Sequence, residues 1–281
     1  MLRNTFCHLP GVGELSERRL WSLGILSWDD RFDVRQSFSG KKFQNLNERL
    51  AESELQLQQG NARYFARLLP PRLHWRLFPA FRNSLAYLDI ETTGGLTWDQ
   101  SITAIALYDG RSLYHYVQGR NLHDFERDVE KYNVLVTYNG KCFDLPFIQW
   151  YFRTTLKQVH IDLRFLLKSL GYSGGLKGCE RQVGIDRGDL NGVDGYFAVL
   201  LWEDYSRTGD EKALETLLAY NTEDTVNLER LMVTAYNLKL KETPFATTHL
   251  LKPPAPLRSP YRGDRSTIER LRSLMGSHSI Y

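Results

Sequence analysis

Four carboxylates and one tyrosine lie in patterns that suit chemistry on a bound cation. In YLDIET, Asp89 and Glu91 are two residues apart. Alternation along a strand puts both on one face, with Leu88 and Ile90 on the other. Two neighbouring carboxylates on a core strand repel each other and resist losing water, which implies a cation between them. The competing reading is that Asp89 opens a turn and Glu91 is solvated beside Thr92-Thr93-Gly94. In NGKCFD, Asp144 follows the apolar run VLVTY and stands at or before a helix with Pro146 in its first turn. That place suits a ligand at the C-terminal end of a strand and equally a helix N-cap, and the two roles are compatible. In YNTED, Tyr220 and Asp224 are i and i+4 on a helix whose apolar face includes Leu217, Leu218 and Leu228. A phenol one turn from a carboxylate can position a water, although the pair alone also fits a core tyrosine.

These residues need a scaffold, and the pattern changes at about residue 85 to supply one. LAYLDI (85–90), SITAIALY (101–108) and SLYHYVQ (112–118) read as strands joined by short connections, Gly94-Gly95 and Asp109-Gly110. Short connections make neighbouring strands antiparallel, and Asp-Gly is a hairpin signal. An amphipathic helix over Asn121–Lys131 follows, with Leu122, Phe125 and Val129 on one face. Next come a strand VLVTY (134–138), a helix Leu145–Phe152, a strand QVHID (158–162) and helices to about residue 241. The order βββαβαβ followed by helices predicts an α/β fold. It describes a ribonuclease-H-like mixed five-stranded sheet, three antiparallel strands plus parallel strands, flanked by helices.

Together the motifs are specific. D-x-E on the first strand, N-x3-F-D after the fourth and Y-x3-D on a late helix resemble the DEDD exonucleases. The tyrosine marks the DEDDy branch, which includes ribonuclease D and polymerase proofreading domains. The closer resemblance is to the YprB-type ribonuclease-H-like family. It is carried by HIDLRFLLKSLGYSGGLKGCERQVGI (160–185) and LAYNTEDTVNLERL (218–231), and it covers about residues 83–240. The resemblance implies a 3′→5′ exonuclease that hydrolyses phosphodiester bonds with two divalent cations, Mg²⁺ or Mn²⁺, roughly 3.5–4 Å apart. Asp89, Glu91, Asp144 and Asp224 would be their ligands. Asp89 would bridge both ions, Glu91 and Asp224 would complete the site of the water-activating ion, and Asp144 would hold the other. Tyr220 would orient the nucleophile. Asn139 and Phe143 match the second motif as substrate-binding residues. Asn139 also reads as a loop-fixing residue, and Phe143 reads as a core residue before it reads as a base-stacking one. His160 and Asp162 read as supporting residues rather than ligands.

Charge is uneven. Residues 1–85 carry 13 Lys/Arg against 8 Asp/Glu, residues 86–243 carry 17 against 23, and residues 244–281 carry 6 against 2. An acidic middle between basic flanks fits a cation-filled site acting on a polyanion, with the flanks holding phosphate backbone. Three organisational units are expected. Residues 1–82 form a small helical N-terminal region, with helices over Leu15–Leu23 and Asn45–Leu69, the latter stopped by Pro70-Pro71. Residues 83–243 form the exonuclease domain. Residues 244–281 hold five of the ten prolines and read as a Pro/Arg-rich flexible tail, with one short helix near Ser266–Met275. His8-Leu9-Pro10-Gly11-Val12-Gly13 resembles half of a helix-hairpin-helix DNA-binding motif, so DNA is expected as partner in preference to RNA. Cys7, Cys142 and Cys179 are too few and scattered for a disulfide framework and read as free thiols, as in a cytoplasmic protein. No membrane segment, secretory signal or organic cofactor is expected. The rival readings are an RNA-processing exoribonuclease of ribonuclease D type and a non-catalytic nucleic-acid-binding module.

Overall fold

The computed structural model describes residues 1–30, 46–94, 100–190, 192–257 and 259–278, so Asn45 and Gly95 of the sequence reading lie outside it. Strands β1 (Leu85–Thr92), β2 (Ile102–Tyr108), β3 (Leu113–Val117), β4 (Val134–Thr137) and β5 (Val159–Asp162) form one sheet in the order β3-β2-β1-β4-β5. β1 pairs antiparallel with β2 and β2 with β3, while β1–β4 and β4–β5 are parallel. The mixed sheet expected from the element order is the one observed.

β1 is central and two-sided. Ala86, Leu88 and Ile90 pack with Phe125 and Val129 of α5 (Asp124–Val129) and Ile148 of α6 (Asp144–Phe152). Leu85 and Tyr87 on the opposite face join a core with Leu228, Met232 and Tyr236 of α10 (Glu211–Leu240). Two residues per period along β1 therefore carry Asp89 and Glu91 onto the α10 side. α10 has 30 residues, about 45 Å at 1.5 Å per residue, enough to cross the sheet. Its N-terminal half packs with α9 (Gly195–Thr208).

The N-terminal region contains α1 (Glu14–Ser22), α2 (Leu46–Gln58), α3 (Ala62–Leu68), a 3₁₀ helix Pro71–Leu77 and the short α4 (Phe78–Phe81). The single helix expected to Leu69 is thus two. Gly60 at φ 69° breaks it, and Asn61 caps α3 by accepting a hydrogen bond from the Tyr64 N–H at 3.1 Å. Phe6, Phe65, Trp75 and Phe78 share the core that holds Leu85 and Tyr87. Glu17 is fully buried there, accepting from the Thr5 hydroxyl and the Phe6 and Cys7 N–H groups and pairing with Arg76 at 2.7 Å. The glycine hairpin at Gly11 lies between a 3₁₀ turn, Leu2–Asn4, and α1, and Glu17 draws the chain before α1 inward.

The tail expected to be flexible is anchored over its described residues. Phe245 is buried, and Asn237 exchanges hydrogen bonds with the backbone of Leu251. α11 (Arg265–His278) sets Ile268 and Leu271 into the core of α9 and α10, and Arg270 clamps the buried Asp204 at 2.6 Å. The prolines gave no sign of this docking, which depends on two apolar residues three apart. Among the described residues no helix is long and apolar enough to cross a membrane.

Candidate active site

Three elements deliver the acidic residues. β1 brings Asp89 and Glu91, just before its register with β2 shifts between Glu91 and Thr92. α10 brings Tyr220, Asn221 and Asp224 on one side. One carboxylate oxygen from each of Asp89, Glu91 and Asp224 falls within 4.8 Å of the others. Asp144 is the first residue of α6, with Phe143 at the cap position, so it is not the N-cap. Its carboxylate instead accepts from the Ile90 N–H at 3.2 Å, between Asp89 and Glu91 on β1. Asp144 thus lies beside the triad but outside the group of three.

The loop between β4 and α6 is held in place. Asp162, at the end of β5, accepts from the N–H groups of Asn139 (2.8 Å), Lys141 (3.0 Å) and Arg164 (2.9 Å). The Gly140 N–H donates to the Thr137 hydroxyl at 3.0 Å, and a Cβ on Gly140 would lie 2.1 Å from that oxygen. Asn139 adopts φ 67°, which asparagine tolerates, and its side-chain oxygen accepts from the Arg164 guanidinium. His160 bonds the Thr137 hydroxyl at 2.9 Å. Phe143 is exposed, so its reading as a core residue is corrected: its ring lies outside while the next residue turns inward.

The electrostatics are those of a site short of positive charge. Burial, followed by repulsion from Asp224, pushes Asp89 and Glu91 well above the usual carboxylate range, with Asp144 raising both and Glu91 raising Asp89 further. Burial raises Asp144 to about 7, against the backbone hydrogen bonds that favour its charged form. Tyr220 is buried, and burial together with the nearby Asp224 carboxylate keeps the phenol protonated far above neutrality. Every candidate ligand is a carboxylate oxygen, the hard donor that suits Mg²⁺ or Mn²⁺. The residues present fit such ions.

Residues 86–236 match the family model RNase_H_2, described as RNase_H superfamily. The chain belongs to the RNase H superfamily. A family B DNA polymerase from the hyperthermophilic archaeon Pyrobaculum calidifontis is similar in structure at a TM-score of 0.43 and 14% identity, over 60% of this chain and 27% of that one. No curated protein sequence matches the chain.

Within this RNase H-superfamily domain, four residues beside the carboxylates escaped the sequence reading. Asn221 donates to Asp89 Oδ2 at 2.7 Å. Arg187 pairs with Asp224 and is held by two hydrogen bonds to the buried Glu180, at 2.6 and 2.7 Å. Glu180 also accepts from Asn227 at 3.0 Å. Lys177, on α8 (Gly175–Val183), sets its ammonium 4.6 Å from the centre of the Tyr220 ring, and burial lowers its pKa against the pull of Asp224. Lys177 and Glu180 lie inside GGLKGCERQVGI, with Arg187 two residues beyond it. Lys177 and Glu180 share a face of that helix at i and i+3, a local pattern that does not say which distant surface they meet.

Proposed function

We propose that the domain is a metal-dependent 3′→5′ exonuclease of the DEDDy type, YprB-like, that hydrolyses phosphodiester bonds of DNA or RNA by a two-metal-ion mechanism. The supporting observation is that Asp89 and Glu91 from β1, Asp144 from α6, and Tyr220 and Asp224 from α10 converge although up to 135 positions separate them in sequence.

In this reading Asp89, Glu91, Asp144 and Asp224 hold two Mg²⁺ or Mn²⁺ ions. When bound, the ions supply an acidified water and charge stabilisation at the departing 3′-oxygen. Asn221 fixes one oxygen of Asp89, and the Ile90 N–H fixes one of Asp144, so neither carboxylate is free to rotate. Tyr220 stays protonated at working pH, so it orients the attacking water by hydrogen bonding and does not remove its proton. Arg187, steadied by Glu180, compensates Asp224 and keeps a fixed positive charge beside the carboxylates. Asn139 and Phe143 contact the terminal nucleotide.

Oligonucleotides of DNA and RNA, labelled at the 3′ or the 5′ end, test the reading in the presence of Mg²⁺ or Mn²⁺. Early loss of the 3′ label, blockage by a 3′-phosphate, and no activity with EDTA or in Asp89→Ala are expected. Equal activity in Asp89→Ala would overturn it.

A further inference from the structure

The start of α6 carries aromatic side chains that the hydrolysis itself does not require. Phe143 is 44% exposed and Trp150 55% exposed, with the half-buried Phe147 between them. At i, i+4 and i+7 they follow one face of the helix. Ring centroids are 5.9 Å apart for Phe143–Phe147 and 5.5 Å for Phe147–Trp150, with interplanar angles of 49° and 77°. The first pair is tilted and the second edge-to-face, so neither is a parallel stack, and Phe143 and Trp150 keep exposed ring surface at the two ends of the row. A contiguous row of exposed aromatics marks a binding surface rather than chance surface composition.

Two observations say what binds there. The row begins at the residue bonded to Asp144, so it leads from the rim of the candidate active site outward along α6. From Leu145 to Ile161 the chain has no Asp or Glu, and its full charges are Arg153 and Lys157, in a domain otherwise rich in carboxylates. A polyanion following this segment meets cations and no opposing charge from it. Within a duplex the base faces are covered by neighbouring bases, whereas unpaired bases offer theirs to aromatic rings.

We propose that Phe143, Phe147 and Trp150 form a stacking track for a single-stranded 3′ tail, with Phe147 and Trp150 holding nucleotides upstream of the bond to be cut. The inference rests on the exonuclease reading for the direction of the strand, but the track is testable separately. An Asp89→Ala background with Mg²⁺ leaves the strand intact, and fluorescence anisotropy of a labelled ten-nucleotide oligothymidine then reads affinity. Phe147→Ala and Trp150→Ala are each expected to raise Kd about tenfold, in the range for loss of one base–aromatic stack. Trp150→Phe should recover most of the affinity. The same strand made abasic upstream of its 3′ end should bind the Trp150-intact protein as weakly as the normal strand binds Trp150→Ala. With Asp89 restored, Trp150→Ala should raise KM for the ten-nucleotide strand and leave a dinucleotide unaffected. Unchanged Kd in both alanine variants, or equal binding of the abasic strand, would overturn the track and assign the ridge to another partner such as a protein. Cleavage with no effect of the alanine variants sinks the track alone. Base-dependent binding without cleavage sinks the exonuclease reading alone.

Discussion

Asp89 and Glu91 were legible as a pair because strand alternation fixes their common face, whatever surrounds them. Their consequences are testable at the same scale. Asp89→Asn removes one of the repelling charges while keeping an oxygen for Asn221. Both carboxylates sit above their usual range, so their charged forms oppose folding at neutral pH when no cation is bound. The metal-free variant is therefore expected to melt a few degrees above the metal-free wild type, taking ~2–4 °C per kcal/mol for a chain of this size. Its gain in Tm on adding Mn²⁺ should shrink, and hydrolysis should fall by at least about 100-fold. Calorimetry with and without EDTA checks this, and a lower metal-free Tm in the variant would contradict it. Arg187 was not legible, because its partners Glu180 and Asp224 are seven and 37 positions away in sequence. Arg187→Gln leaves Glu180 buried without its cation and should cost about 3–5 kcal/mol. The double variant Glu180→Gln/Arg187→Gln should recover most of that stability. With a fixed cation gone beside Asp224, it should also bind Mn²⁺ more tightly by titration calorimetry while turning over more slowly.

At the scale of elements, the strands were readable from hairpin and alternation signals, and their ends fall within one or two residues of the sequence reading. The α2–α3 break at Gly60 was not, because apolar spacing runs through it and only the cap at Asn61 marks the new start. The β4–α6 loop is the element on which the position of Asp144 depends. Thr137, Gly140, Asn139 and Asp162 form one hydrogen-bonded unit there. Gly140→Ala forces a Cβ into the Thr137 hydroxyl, so the loop must move. The expected result is a loss of about 1–3 kcal/mol in urea unfolding, with reduced kcat because Asp144 shifts with the loop. Unaltered stability together with unaltered kcat would mean that the loop does not position Asp144.

For the whole molecule, the N-terminal region and the sheet share one core, in which Phe65 and Trp75 meet Tyr236 and its neighbours. A shared core couples their unfolding. In a variant with Trp98, Trp150 and Trp202 replaced by Phe, the fluorescence of Trp21, Trp28 and Trp75 reports on the N-terminal region, and far-UV circular dichroism reports on the whole. The two signals are expected to follow a single urea transition. Glu17→Gln strips a charge from the buried pair with Arg76 and should move both curves together by about 3–5 kcal/mol. Two separate transitions would show that the regions fold independently.

The sequence by itself determined the strands and their order, the common face of Asp89 and Glu91, and the one-turn spacing of Tyr220 and Asp224, because these follow from backbone periodicity within a few residues. Tertiary structure decided what periodicity does not reach. It turned Phe143 outward beside an inward Asp144, brought Arg187 and Lys177 to the acidic cluster, and seated α11 on α9 and α10. Each of these depends on which distant surface is left to be covered once the sheet has formed. No local pattern carries that information.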